Sequence, residues 1–499
     1  MLAKTGDTWE AGTVETRRFL FGLSITASLV FAAFSSTTPA TADDDSTRKP
    51  KDDGYRGIWF TLGQFSDAPY GKGSWKSYWD YGDKNPGGCG TYTAKHVPIA
   101  IYAPEAKKTF FCYGGSKEGK RYLYNMISYY DHQTDRVPRP TIIHDKKGVD
   151  DPHDNSTLTI DPGGHIWVYV AGRARSRPGF VYRSVEPYDI ERFELVSSGE
   201  FCYPQPYAVA GVGIVELFTK YTNGRELYCN LRKPDGSRGE DRKLAGMEGQ
   251  YQTSFQRGHR IITAFNRHPG HAPDRRTDLY YLQTQDMGKT WQTIDGTTIS
   301  PPLVDPKNPA LVKAYSDNQR LVYLNSITLD GEGNPVILVV TSSDHRPGPQ
   351  GDPRTWEVLH HKGGKWHVHQ VTTSTHNYDT GPIWVEADGT WRIVGPTERG
   401  PQGWGLGGEV AVWTSGDQGK TWTKVRDVTR DSPRNHSYVR KVFGAEPDSP
   451  FAMLWADGHA DKLSVSRLYF ANRDGTKVRR LPYDMQDEFA TPETVEVPD

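Results

Sequence analysis

The chain has 499 residues, with 60 basic against 61 acidic side chains and a net charge of −1, and its mean hydropathy is −0.68. That balance excludes the basic surface that nucleic acid or an anionic membrane would call for, and no apolar run reaches the length of a membrane span. Four cysteines in a chain long enough to bury a large core exclude a scaffold built on disulfides.

In chain order, residues 1–42 read as an export leader. Arg17 and Arg18 precede an apolar stretch from Phe19 to Phe34, and Ala40-Thr41-Ala42 supplies a small-residue cleavage pattern. The arginine pair is also a loose match to twin-arginine export. Residues 43–52 form a linker of acidic and basic residues, and 53–499 form a single domain. The mature protein is expected to be a monomer, secreted or periplasmic, with no membrane contact after cleavage and no nucleic-acid partner.

From Asp53 onward, helical periodicity gives way to short apolar runs broken by turn residues. The clearest runs are Ile166 to Val170, Arg260 to Phe265, Pro335 to Thr341, Thr390 to Val394 and Phe451 to Trp455. Turns such as Asp161-Pro-Gly-Gly164, Asp330-Gly-Glu-Gly333 and Asp388-Gly389 separate them, which predicts strands. A polar cluster recurs near these runs, marked by His96, His153, Gln205, Gln252, Asn325, Asn377 and His436. The markers are 57, 52, 47, 73, 52 and 59 residues apart, slightly longer than common propeller repeats. Seven markers predict an all-β, seven-bladed β-propeller, a fold that manages many strand edges by radial repetition.

Two segments support this. Thr284-Gln-Asp286-Met-Gly288-Lys-Thr290-Trp291 and Ser415-Gly-Asp417-Gln-Gly419-Lys-Thr421-Trp422 share the Asp-box pattern. The pattern locks a hairpin: Asp and hydroxyl groups bond turn amides, Gly takes a positive φ, and Trp packs between sheets. It is structural and does not specify a function.

Together with Asp53-Gly-Tyr-Arg-Gly-Ile-Trp59, Thr91 to His96, His153-Asp-Asn155, Tyr203-Pro-Gln205, Gly407-Gly-Glu409, Asn435 to Arg440 and Trp455 to His459, these boxes give the chain its resemblance. From Asp53 on, it resembles the exported BNR-repeat propellers, a group that includes seven-bladed lyases of uronic-acid polymers and propeller rhamnosidases. The resemblance implies a polysaccharide substrate and places His153 where such lyases use a His as acid or base, and Tyr203 where they use a Tyr. The chain departs from the lyases at two points. Gly172-Arg-Ala-Arg-Ser-Arg177 stands where a second His is expected, and Thr219-Lys-Tyr221 where an Arg is expected.

β-Elimination at a uronide needs a base for the C5 proton, an acid for the leaving oxygen and a cation for the carboxylate. His and Tyr suit the first two tasks, and the fixed fork of Arg suits the third. The candidate catalytic residues are His153, Tyr203 and His96, with Asp154 and Asn155 expected to orient His153 or to bind a turn. The candidate substrate contacts are Arg173, Arg175, Asn155, Gln205, Gln252, Asn325, His376, Tyr378, His436 and Arg440. Two alternatives stay open. A glycoside hydrolase would draw carboxylates from Asp379, Glu398, Glu409 and Asp457, or, in a sialidase-like form, use Arg56, Arg267 and Arg440. A glycan-binding propeller would stack sugars on Trp59, Trp75, Trp79, Trp404 and Trp455. No cofactor is expected, although a structural calcium or zinc with ligands from different blades stays open. Cys202 and Cys229 are placed to pair if they end one hairpin, while Cys89 and Cys112 read as free or buried thiols.

Overall fold

The computed structural model describes residues 45–61 and 80–498. The leader, and Trp75 and Trp79, lie outside the described residues. Seven antiparallel sheets follow one another along the chain: blade 1 (100–145), blade 2 (156–199), blade 3 (202–245), blade 4 (252–313), blade 5 (321–374), blade 6 (383–427) and blade 7 (435–495). Each blade has four strands in sequence order from the axis outward, and blade 7 adds a fifth, Glu493–Val495. A parallel bridge between Ile101 and Phe443 joins blades 7 and 1, so the sheets form a closed ring. The protein is a seven-bladed β-propeller, and each of the seven sequence markers lies in or just before the innermost strand of a different blade.

The apolar runs picked out in the sequence are second strands, which have neighbouring strands at both edges and neighbouring blades on both faces. Ile166–Val170 and Pro335–Ser342 are therefore buried at every residue, as continuous apolar strands are when both faces are covered. Outer strands such as Phe193–Gly199 alternate or turn polar. The core lies between blades. Tyr207, Val215 and Leu217 of blade 3 pack with Ile261, Phe265 and Tyr280 of blade 4, and Val336, Leu338 and Trp356 of blade 5 with Ile383 and Trp391 of blade 6. No blade buries its own apolar faces alone, which ties each repeat to its neighbours.

Both Asp boxes lock the turn after a third strand, in blades 4 and 6. Thr284 Oγ1 accepts the Gly288 N–H at 2.9 Å and donates to Asp286 at 2.9 Å, and Asp286 accepts the Thr290 N–H at 2.9 Å. Ser415, Asp417, Gly419 and Thr421 repeat these bonds at 2.8 to 2.9 Å. The joint between blades 1 and 7 is bridged by two further segments. Residues 48–58 bond in turn to Glu191, to Pro140 and to Pro482 and Ser466, while Phe489–Ala490 pairs with Val137–Pro138. Cys202 lies in the first strand of blade 3 and Cys229 in the third, separated by the second, and all four cysteines are free and buried. The pairing of Cys202 with Cys229 is thereby corrected: they are not the ends of one hairpin.

Candidate active site

Antiparallel strands place the loops between second and third strands on the same face as the segments entering each first strand. On that face they enclose a funnel of about 540 Å³, solvent at its mouth included. Tyr92, Tyr203, Tyr251, Tyr323, Tyr378 and Tyr438 line it, together with Lys84, Lys95, Arg173, Arg225 and Arg276, and among the described residues no carboxylate lies in its wall. At the base, Lys95 donates to the Leu324 carbonyl across the axis at 2.7 Å. A second cavity lies beyond, with Ala94 and Thr380 touching both.

His153 sits in a single 3₁₀ turn, Pro152–Asp154, with Asp151 as N-cap accepting the His153 N–H and Pro at the first position. The same Asp151 holds the ring: Nδ1 is 2.5 Å from Asp151 Oδ1, and Nε2 is 2.5 Å from the Tyr92 hydroxyl. Burial lowers the His153 pKa to about 4. Burial alone would raise Asp151, but His153, Arg173 and Arg177 hold it well below the usual carboxylate range. The imidazole is therefore neutral at pH 7, its Nδ1–H donates to Asp151, and its Nε2 accepts from Tyr92. Orientation of His153 thus falls to Asp151. Asp154 pairs with Lys146 and Arg177, and Asn155 donates to the carbonyls of Cys89, Gly90 and Tyr92, bracing the turn that carries Tyr92.

Tyr203 and Tyr438 reach the funnel by the same device. Each stands at a register shift in a first strand with φ near +50°, a bulge that re-aims the side chain. Tyr203 lies edge-on to His153 at 6.2 Å and to Tyr251 at 5.3 Å, ring to ring, so Tyr92, His153, Tyr203 and Tyr251 form an unbroken arc. Two of these phenols are pushed apart. Burial and the neighbouring Tyr251 and Tyr221 raise Tyr203 well above its ordinary value. Burial alone would raise Tyr251 too, yet the charges of Arg225, Arg276 and Lys84, with a hydrogen bond from Tyr203, hold it below. Arg276 lies over the rings of Tyr251, Tyr323 and Tyr378 at 4.3 to 5.1 Å and donates to Tyr378 at 2.8 Å. Arg225 donates to Tyr221 at 3.1 Å. Neither arginine forms an ion pair among the described residues, whereas Arg173 pairs with Asp151 and Lys84 with Asp274.

Of the residues expected from sequence, His153, Tyr203, Arg173 and Tyr378 line the funnel. His96 is buried behind Tyr203, its Nδ1 accepting from Thr93 N–H. Gln205 braces Lys95 and Gln252 through their carbonyls, and Gln252 is buried beside it. Asn325 and Arg440 line the second cavity, where Arg440 also donates to the carbonyls of Thr91, Thr93 and His96. His376 accepts from the Tyr378 N–H, and His436 accepts from Trp455 Nε1. Arg175 points outward toward Glu200. Neither hydrolase set converges on the funnel. Glu398 and Glu409 line a separate open depression, Asp379 and Asp457 are buried, and Arg56 and Arg267 are paired with carboxylates elsewhere. Trp59 and Trp455 are core residues. Among the described residues no group of His, Cys, Asp or Glu is placed to hold a metal, and no helix is long and apolar enough to cross a membrane.

Sequence reasoning missed Tyr92, Arg225, Tyr251, Arg276, Tyr323 and Tyr438. The signal was present, because Tyr251, Tyr323 and Tyr438 stand one or two residues from markers taken for their amide or imidazole groups. Tyr251 and Gln252 are strand neighbours and face opposite ways, whereas Tyr323 and Asn325 lie two residues apart along one inner strand, the tyrosine at the funnel and the amide deeper, at the second cavity.

Fold and site together define a β-propeller with a cationic, tyrosine-lined funnel whose chemistry suits an anionic ligand. The chain belongs to the BNR repeat-containing family, whose profile matches residues 119–374. Among solved structures it is similar to an ulvan lyase of a new polysaccharide lyase family, at 17% identity and a TM-score of 0.65, covering 83% of this chain and 96% of that one. The ulvan lyase bound to -[GlcA(1-4)Rha3S]- gives 17% identity, a TM-score of 0.64 and the same coverage. The polysaccharide lyase Uly1 gives 14% identity and a TM-score of 0.55, covering 86% of this chain and 100% of that one. At these identities the likeness is one of fold. No curated protein matches the chain.

Proposed function

We propose that the protein is an exported polysaccharide lyase that cleaves a uronic-acid polysaccharide by β-elimination in the funnel. The observation that carries this reading is the Tyr203–Tyr251 pair, set among cations in a wall to which the described residues contribute no carboxylate. Elimination needs groups whose protonation states diverge, and these two phenols are driven in opposite directions by their surroundings. Tyr251, whose phenolate form the charges of Arg225, Arg276 and Lys84 stabilise, takes the C5 proton. Arg225 and Arg276, which form no ion pair among the described residues, neutralise the uronate carboxylate and so stabilise the charge that develops at C5. The C4–O bond breaks as the C4–C5 double bond forms, and Tyr203, which holds its proton, protonates the leaving oxygen. His153, held neutral beside Asp151, fixes Tyr92 and supplies the further proton acceptor of the arc. The polysaccharide lyases of like fold and the leader read in residues 1–42 agree with this assignment.

The test is incubation with ulvan, a polymer of glucuronate and rhamnose, and with pectic polymers, following unsaturated-uronide absorbance and reducing ends together. Equal molar rises are expected on at least one uronate polymer. Reducing ends without absorbance would overturn elimination in favour of hydrolysis.

A further inference from the structure

We infer that the rim beside the funnel carries a second saccharide-binding site, a platform of Trp404, Tyr81 and Arg399 that holds an acidic sugar of the polymer outside the cleavage site. Trp404 belongs to the loop joining the second and third strands of blade 6, on the funnel face. The exposed Tyr81 ring stands edge-on to it at 5.0 Å, and the Arg399 guanidinium lies 4.8 Å from its ring centre. Arg399 is exposed and forms no ion pair among the described residues, although it also borders the open depression lined by Glu398, Glu409, Asp427 and Asp431, so its charge is turned between that depression and the Trp404 ring. Asp352 accepts from the Trp404 indole at 3.4 Å and orients the ring.

The loop is shaped around these side chains. Trp404 has φ of +61°, a left-handed conformation that costs a residue with a Cβ on the order of 1 kcal/mol, although glycines stand on both sides of it. A Cβ at Gly403 would strike the Arg399 guanidinium, and one at Gly348 would strike the Tyr81 ring, so both close approaches depend on glycine.

The platform is continuous with the funnel wall. Asn377 and Tyr378 line the funnel; Asn377 donates to the Asp344 carbonyl at 2.7 Å in the loop that contains Gly348. Gly407 N–H, in the Trp404 loop, donates to Asp379 at 2.8 Å. On the other side, Lys84 lines the funnel three residues beyond Tyr81, and Asp83 between them accepts from Thr61 at 2.6 Å. A chain leaving the funnel over blades 5 and 6 meets an indole face suited to the apolar face of a pyranose, with a guanidinium placed for its carboxylate or sulfate.

The site rests on the proposed function for the identity of its sugar, and the experiment separates the two. Wild type, W404A, W404F and R399A are compared for ulvan binding by affinity electrophoresis in gels containing the polymer, and for cleavage of ulvan against a tetrasaccharide cut from it. W404A and R399A are expected to weaken polymer binding and raise the polymer KM about five- to tenfold, with a much smaller change on the tetrasaccharide, and W404F to restore most of the loss. R399A alters an exposed side chain and so reads the site even if W404A misfolds. Polymer binding and KM unchanged in both W404A and R399A would overturn the platform and leave the lyase assignment standing. Binding that depends on Trp404 without any cleavage would uphold the platform and overturn the lyase. A wild type that neither binds nor cleaves overturns both.

Discussion

At one end of the axial channel six tyrosines and five cations line the funnel, while at the other Val97, Ile99, Ile327 and Val439 share the wall with Thr253, Ser254, Asn325, Arg440 and Lys441. The same inner strands build both ends. A single residue separates Tyr251 from Thr253, Tyr323 from Asn325 and Tyr438 from Arg440, and in each pair the first lines the funnel and the second lines the second cavity. Chemistry is thus confined to the entry of each inner strand, and packing takes over one strand step further in. The bulges at Tyr203 and Tyr438 mark this change, since a positive φ at a large residue persists only where the surroundings hold it.

That contrast is broken most sharply by exchanging one residue at each end. Tyr251→Phe should lower kcat on a uronate polymer about 10²- to 10⁴-fold with little change in Tm. Lys441→Met, in the wall of the second cavity, should leave kcat within about twofold. Burial lowers the Lys441 pKa to about 7, so the folded state sheds a proton that the unfolded chain keeps up to 10.5. Wild-type stability should therefore rise with pH from 7 toward 10.5, and the rise should flatten in Lys441→Met. Equal losses of kcat in the two variants would erase the distinction between the ends.

Acid tests the buried polar layer around both. Burial lowers His96 and His376 to about 3 and His153 to about 4, against 6.5 for the free group. The folded state binds fewer protons than the unfolded chain between about pH 4 and 6.5, so stability is lost as pH falls through that window. Asp379, raised by burial from 3.8 to about 7, acts oppositely and loses stability as pH rises across its own window. Three histidines against one carboxyl predict an unfolding free energy that falls from pH 6.5 to 4.5, by roughly 2 kcal/mol per histidine near pH 5 before the opposing carboxyl is set against it, read as a falling urea midpoint. A midpoint that stays level or rises would refute the balance. The smallest effect belongs to the face opposite the funnel. Asp286→Ala removes the acceptor of the Thr290 amide and should cost about 1 kcal/mol, read as a fall of a few degrees in Tm, with kcat retained.

The propeller was legible because its signals are local. Fully buried second strands must be apolar at every position, and an Asp box must carry its hydroxyl, carboxylate, glycine and tryptophan within eight residues. His153 and Tyr203 could be named because they fall in quoted motifs. Arg225 and Arg276 could not be singled out, since Arg225 opens the third strand of blade 3 opposite Tyr221, Arg276 ends the loop before the third strand of blade 4, and Arg276 meets Tyr378, in the segment entering blade 6, across 102 residues of chain. Nor could a run of letters show that Asp151 would orient His153 while Asp154 turned toward Lys146 and Arg177.

Blades 1 and 7 are not joined by a loop, yet residues 48–58 and the Phe489–Ala490 strand cross their seam in overlapping fashion. Pulling the seam apart would load several backbone hydrogen bonds in shear at once, as the lapped ends of a barrel hoop share tension through every rivet. The hoop fixes the circumference, and with it the spacing of the phenols around the bore.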